Sequence, residues 1–136
     1  MTPPQISAAN RRLKAFLRSD AAYRAYLPTS TWTSGGCWLL AQALQHVLGG
    51  KLVALKSEGG IEHVVLQVGE RFVDGDGFSL RASLLGRWRE QEGMRVHVVP
   101  FDGAARSEAI LRGVPKPHDG MVAALSVDLS RVLGGA

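Results

Sequence analysis

The spacing of the apolar residues changes once, at Gly49-Gly50, and this change limits the fold more than any other feature of the chain. Before it, apolar residues follow Cys37 at helical intervals and predict an amphipathic helix: Leu40, Ala41, Leu44, Val47 and Leu48. After it, residues 51–56, 61–68 and 71–76 alternate or run continuously apolar, which is typical of strands. Helices followed by strands with short turns predict an α+β domain.

The remaining segments fit the same plan. Two helices, residues 5–18 and 20–27, precede the Cys37 helix, and Asp20 is the expected cap of the second. Gly69-Glu70 predicts a tight type II′ turn between two strands. The rest of the chain predicts four elements: a helix at 79–92 capped by Ser79, a strand at 94–99, a short helix at 107–112 and a C-terminal helix at 121–133. We therefore expect an antiparallel sheet with a helix inserted before its last strand.

The composition fits one globular domain over residues 1–136. An apolar content of 46% is sufficient for one hydrophobic core, and the charged residues, 21% of the chain, are spread along its length. No apolar run approaches the roughly 20 residues that span a bilayer. The first residues lack the basic and apolar segments of a secretory signal. These features predict a cytoplasmic protein without a membrane association.

The net charge of +4 allows attraction to an acidic partner or to nucleic acid. The arginines, however, occur singly or in pairs and do not alternate with exposed aromatic residues. Nucleic-acid binding is therefore the weakest of the functional hypotheses, and it requires an affinity that falls steeply with salt.

The single cysteine restricts the chemistry. It excludes an internal disulfide and a zinc site built from paired cysteines, so Cys37 is either an inert core residue or a reactive thiol. With Ser34 as N-cap, Cys37 is the third residue of its helix, where free N–H groups and the helix dipole favour a thiolate. Gly35 and Gly36 allow a substrate to approach the backbone closely, and the same N–H groups suit an oxyanion.

A histidine and two aspartates follow on the predicted strands. Strand parity places His63 on one face of its strand, and the turn at Gly69-Glu70 places residue 63 opposite Asp76, with Asp74 diagonal to it. Opposed Cβ atoms lie about 4.5–5.5 Å apart and diagonal ones about 7–8 Å apart, so either carboxylate reaches the imidazole. The register favours Asp76 first and Asp74 second.

Three segments carry a resemblance to known proteins: Ser34-Gly35-Gly36-Cys37-Trp38, Glu62-His63-Val64-Val65 and Arg71-Phe72-Val73-Asp74-Gly75-Asp76-Gly77. They resemble small bacterial and phage proteins of the papain-like and transglutaminase-like group, which use Cys, His and Asp or Asn in this chain order. The resemblance spans roughly residues 34–78. It implies a papain-like α+β domain whose cysteine begins a buried helix on a small antiparallel sheet, with Cys37, His63 and Asp76 or Asp74 as a catalytic triad.

The leading hypothesis is a thiol hydrolase or acyltransferase that needs no cofactor. Its expected substrate is a peptide or protein, attacked at a peptide, isopeptide or glutamine-like amide. Four residues that flank Cys37 in the chain are the candidate substrate-binding residues: Gly35, Gly36, Trp32 and Trp38. Trp32 is the better candidate for a cleft wall, whereas Trp38 also suits the core.

Papain-like peptidases commonly carry a glutamine a few residues before the nucleophile as an oxyanion donor, whereas Thr31, Trp32 and Thr33 occupy that loop here. This departure motivates a second hypothesis, a papain-like binding or inhibitor module, such as a phage accessory protein, that has lost catalysis and acts through a basic surface.

Other residues offer rival sites. His118-Asp119 is a second acid–base pair in a predicted loop, and His97 and His46 suit structural or solvated roles. Cys37, His63 and Asp76 are also possible metal ligands, but they lack a compact spacing motif, so no metal is expected.

Overall fold

The computed structural model describes residues 1–134 and confirms the α+β prediction. Six helices are present in this part of the chain: α1 (Pro3–Leu17), α2 (Asp20–Tyr26), α3 (Cys37–Leu48), α4 (Arg81–Gln91), α5 (Gly103–Leu111) and α6 (Asp119–Leu133). Five strands accompany them: β1 (Lys51–Ser57), β2 (Gly60–Val68), β3 (Arg71–Asp74), β4 (Gly77–Leu80) and β5 (His97–Pro100). No helix within residues 1–134 combines the length and apolar character needed to cross a bilayer.

The five strands form one antiparallel sheet in the order β4-β3-β2-β1-β5. Helix α4 is inserted between β4 and β5, as the sequence predicts, and β5 pairs with β1 at the far edge. The predicted register of the β2–β3 hairpin is confirmed, since Gln67 lies opposite Phe72 and Val68 opposite Arg71. Gly69 supplies the positive φ, +60°, that a type II′ turn requires at its first central position.

Helix starts differ from the predictions in three places. The cap of α2 is Ser19, whose hydroxyl accepts a hydrogen bond from the Ala22 N–H, so Asp20 is the first helical residue. Helix α3 begins at Cys37 with Gly36 as its N-cap, so the prediction of Ser34 as N-cap is wrong. Cys37 is therefore the first rather than the third helical residue. It still lies among the N–H groups that have no partner within the helix.

The third difference is the later start of α4, because residues 79 and 80, predicted to begin this helix, belong to the short strand β4. Chain reversal at Gly75-Asp76 pairs Asp74 with Gly77 and Phe72 with Ser79, so Ser79 belongs to a strand and α4 begins only at Arg81. The side chain of Asn10 in α1 accepts a hydrogen bond from the Phe78 N–H at 2.9 Å. This contact across 68 positions of sequence stabilises β4 through tertiary structure rather than through local preference.

The sheet separates two apolar clusters. The larger cluster joins α1, α3, α5 and α6 to one face, with Leu13, Leu44, Val64 and Leu125 among its fully buried members. The smaller cluster packs α4 against the other face: Val53, Leu55, Val65, Phe72 and Leu84. Alternate residues of β2 thus point to opposite faces, as strand geometry requires. His63 shares the parity of Val65, and its ring contacts Trp88 of α4.

Candidate active site

Two elements of the sheet bring the predicted histidine and one predicted aspartate together. His63 lies in β2 and Asp74 is the last residue of β3, and His63 Nε2 is 3.1 Å from Asp74 Oδ2. The exposed fraction of the side chain is 0% for His63 and 4% for Asp74. Polar groups so deeply buried are costly unless they are paired, so this hydrogen bond is needed to keep both residues inside the fold.

The structure corrects the choice between the two aspartates. Asp76 does not lie opposite His63, because β3 ends at Asp74 and Asp76 lies in the reversal before β4. Its side chain is 48% exposed, and its backbone N–H donates a hydrogen bond to Asp74 Oδ1 at 2.9 Å. Asp76 therefore supports the carboxylate that contacts His63. The extrapolated register was correct, but the strand ended two residues too early for it to apply.

Cys37 and His63 are close enough for each to change the pKa of the other. Burial by itself raises the pKa of the Cys37 thiol, but the interaction with the neighbouring His63 imidazole outweighs burial and lowers the pKa below its ordinary value. The backbone N–H groups of Val64 and Trp38 also favour the thiolate. Because Asp74 occupies Nε2, the ring nitrogen left for Cys37 is Nδ1, which is buried and has no hydrogen-bond partner within residues 1–134.

The pKa of His63 shifts in the opposite direction. Burial lowers it, but the hydrogen bond to Asp74, the neighbouring Cys37 and the negative charges of both residues raise the pKa to about 10. A raised histidine pKa beside a lowered cysteine pKa favours a thiolate–imidazolium pair at neutral pH. Such a pair has a nucleophile and a proton donor in place before any substrate binds.

Asp74 is held ionised by several groups. Burial raises its pKa, but the hydrogen bond and charge of His63, the Asp76 N–H and the charge of Arg87 together lower it. Arg87 Nη2 is 3.8 Å from Asp74 Oδ1, and its Nε is 3.7 Å from Asp76 Oδ2. Sequence reasoning missed Arg87, because only the packing of α4 on the sheet brings it to the two carboxylates.

Trp88 is a second residue that sequence reasoning did not place at the site. Its ring centroid lies 5.2 Å from that of His63, with the ring planes inclined at 37°. Leu84 is four residues earlier in α4 and belongs to the cluster beneath the helix, so helical spacing places Trp88 on the same side of α4. That spacing did not reveal that the surface beneath it includes a histidine.

Cys37 borders a surface cleft of about 330 Å³. The loop before α3, the end of α4 and the segment after α5 form its walls, which include Thr33, Ser34, Gly35, Glu62, Trp88, Glu92, Met94, Arg112, Gly113 and Val114. The thiol itself is almost covered, with an exposed fraction of 4% for the residue. A substrate would therefore approach the sulfur through this cleft.

Of the four candidate substrate-binding residues, only Gly35 lines the cleft beside Cys37. Gly35 lines the cleft and adopts φ +109°, which favours glycine. Gly36 is buried, and a Cβ there would lie 2.5 Å from Leu27 Cδ2, so its role is close packing. These two glycines, although adjacent, thus meet different requirements.

Neither Trp32 nor Trp38, the two candidate tryptophans, lines the Cys37 cleft. Trp32 is buried, with its indole N–H donating to the Leu17 carbonyl at 2.7 Å, so the expectation of a cleft wall is wrong for the cleft beside the thiol. Trp38 makes an edge-to-face contact with Phe101 at 4.9 Å. It lines a separate pocket of about 520 Å³ between α3, α5 and α6.

The rival histidines lie apart from this cleft. His118 is exposed and caps α6, where its Nδ1 accepts a hydrogen bond from the Gly120 N–H at 3.1 Å. His97 lies on the edge strand β5 and His46 on the exposed side of α3. Among residues 1–134, no group of three or more His, Cys, Asp and Glu side chains has an arrangement suited to a metal ion.

No family model, curated protein or solved structure matches this chain. The site is therefore interpreted from its own geometry and chemistry.

Proposed function

We propose that this protein is a papain-like thiol hydrolase or acyltransferase with Cys37 as nucleophile, His63 as acid–base group and Asp74 as the residue that orients His63. The observation that carries the proposal is the buried His63 ring, which contacts the Asp74 carboxylate through Nε2 and keeps its other nitrogen, Nδ1, free of any hydrogen-bond partner within residues 1–134, with the Cys37 thiol close enough to affect its pKa. This arrangement has the chemical requirements of nucleophilic catalysis by cysteine. Asp74 replaces Asp76 as the third member because it alone contacts the ring.

The reaction follows from the protonation states. The Cys37 thiolate attacks the carbonyl carbon of an amide, and His63 gives its proton to the departing amine as the carbon–nitrogen bond breaks. The resulting thioester is attacked by water or by a second amine, whose proton passes to His63 as the carbon–sulfur bond breaks. Water yields a carboxylic acid and an amine yields a new amide. The substrates considered are peptide, isopeptide and glutamine-like amides.

Alkylation of Cys37 by iodoacetamide tests the activated thiol without knowledge of the substrate. We expect the second-order rate constant at pH 6.5 to be close to the maximum that it reaches at high pH, where the thiol is fully ionised. A free cysteine thiol is only about 1% ionised at pH 6.5. Mass spectrometry of the intact protein gives the rate, glutathione is the reference thiol, and C37A is the unlabelled control. If the rate constant rises with pH as expected for a thiol with a pKa of about 8.5 or higher, the thiolate–imidazolium pair is excluded, and the proposed function with it.

A catalytically inactive binding module on the same fold is the second candidate. Two observations favour it: the thiol is almost covered, and the loop before α3 contains no glutamine as an oxyanion donor. The two candidates differ in the biological effect of C37A, which abolishes an enzymatic function but leaves a binding function intact. Hydrolysis of peptide and isopeptide amides by the native protein, absent in C37A, supports the enzyme.

A further inference from the structure

The cleft beside Cys37 differs in charge from the chain as a whole. The chain has a net charge of +4, whereas the charged side chains that line the cleft are two carboxylates, Glu62 and Glu92, and one guanidinium, Arg112. Close to the thiol lie Asp74 and Asp76 with Arg87 between them, and these three groups and the Cys37–His63 pair together add one further negative charge when the thiol is ionised. The potential near the sulfur is therefore set by carboxylates rather than by the basic surface.

Glu62 and Arg112 neutralise each other. Arg112 Nη2 is 2.7 Å from Glu62 Oε1, and Arg112 Nε donates to the Ile61 carbonyl at 2.8 Å. Arg112 also donates to the Gly59 carbonyl. These contacts join the end of α5 to the start of β2 and leave the guanidinium little freedom to bind a substrate. The cleft's one other charged side chain within the described chain is Glu92.

Glu92 is placed to contact a ligand in the cleft. It follows α4 directly, four residues after Trp88, so both side chains lie on the side of α4 that borders the cleft. Glu92 forms no ion pair with any residue in the range 1–134. In the adjoining hollow, which Trp88 and Glu92 also line, the carboxylate of Asp76 is compensated by Arg87. Glu92 thus supplies a negative charge next to an aromatic ring.

We propose that Glu92 and Trp88 form a subsite for a cationic group, an ammonium or a guanidinium, carried by the substrate next to the bond that Cys37 attacks. A carboxylate attracts such a group by charge, and an indole ring contacts it favourably through its π system. The subsite rests on the proposed function, because it lies at the cleft through which the thiol is reached. It narrows the substrate class to amides that carry a basic side chain or amine near the reacting carbonyl.

Two thiol reagents of equal reach and opposite charge test the subsite. The 2-(trimethylammonio)ethyl and 2-sulfonatoethyl methanethiosulfonates both react when the Cys37 thiolate attacks the sulfur bearing the ammonium or sulfonate chain, forming a disulfide and displacing methanesulfinate. The quantity measured is the ratio of the two second-order rate constants, each divided by the rate constant for 2-mercaptoethanol. We expect the ratio of the ammonium reagent to the sulfonate reagent to be about 10 in the native protein and to fall by about 5-fold in E92Q.

The chain offers a matched control in Glu90. This residue is exposed on α4 and does not line the cleft, so E90Q removes the same charge from a position outside the cleft. We expect E90Q to change the ratio by less than about 2-fold. The charge-reversed variant E92K should invert the preference. Because Glu92 is exposed, these substitutions should leave the fold intact, which circular dichroism checks.

The outcomes separate the two proposals. If Cys37 reacts rapidly with both reagents and E92Q leaves the ratio unchanged, the cationic subsite is wrong while the activated thiol stands. If neither reagent reacts faster than with a free thiol at pH 6.5, the proposed function and the subsite both fail. A fall in the ratio in E92Q but not in E90Q supports the subsite.

Discussion

The chain contains two regions in which a histidine and an aspartate lie close together, and the structure gives them opposite surroundings. His63 and Asp74 are eleven residues apart in sequence, are almost fully buried and share a hydrogen bond. His118 and Asp119 are neighbours in sequence, are exposed and begin α6. The first pair faces a thiol, an arginine and an indole, whereas the imidazole of the second pair accepts a hydrogen bond from a backbone N–H.

The difference lies in how far each pair is removed from water. An exposed histidine is solvated by water in both protonation states, and water and salt screen the charges around it. In the buried pair the desolvation cost can be offset only by fixed partners, and those partners then decide which form is stable. Adjacency in the sequence is therefore a poor guide to acid–base function, and the second region is a natural control for the first.

The largest expected contrast is between H63Q and H118Q. At pH 6.5 we expect H63Q to reduce the rate of Cys37 alkylation by iodoacetamide by about 100-fold, because the thiol loses the charge that favours its ionisation. H118Q should leave the rate unchanged within about 2-fold, since its imidazole lies outside the cleft. Equal effects of the two substitutions would remove the distinction between the regions.

The second contrast concerns stability. Asp74 has a lowered pKa in the folded chain, so its ionised form stabilises the fold above its unfolded pKa of about 3.9, and this contribution is lost as the pH falls through the folded pKa. We expect D74N to lower the free energy of unfolding by about 2 kcal/mol at pH 7, because His63 loses a charged partner. D119N should cost about 0.5 kcal/mol, the contribution of an acidic residue in the first turn of a helix.

Urea unfolding as a function of pH measures both variants. The difference between the native protein and D74N should narrow below about pH 4, where the unfolded carboxyl binds its proton. A constant difference from pH 2 to pH 7 would show that the loss in D74N is a packing effect and would contradict the assigned charge. D76N serves as the nearby comparison, because its side chain is half-exposed and only its backbone contacts Asp74.

The sequence predicted much of this architecture, and its errors have a common physical cause. The change in apolar spacing at Gly49-Gly50 indicated α3 and the first three strands, and the glycine turn at residue 69 gave the correct register. Both signals are local. The strand β4 and the preference for Asp74 over Asp76 were missed because they depend on Asn10 and on where β3 ends. Such long-range contacts leave no periodic pattern in a single sequence.

The same reasoning explains the candidate site. Cys37 and His63 were indicated by a helix start and a strand parity, but Arg87, Trp88 and Glu92 reach the site only because α4 packs over the sheet beside them. The helical spacing of Leu84 and Trp88 places both residues on one side of α4, but it does not indicate which residues of the sheet that side covers. The chemistry of the cleft thus depends on the placement of one helix that the sequence located but could not orient.

Trp88 supplies the smallest and most selective test of the comparison between the two regions. Its ring lies against His63, whereas no aromatic ring packs on His118 within the described chain. The face of an indole stabilises a neighbouring cation by about 0.5–1 kcal/mol, so W88L should reduce the stability of the imidazolium and raise the apparent pKa of Cys37 by about 0.5 unit. W88F, which keeps a π face, should restore most of this shift. The pH profile of alkylation measures both variants, and a purely structural role for Trp88 would lower the melting temperature without moving the profile.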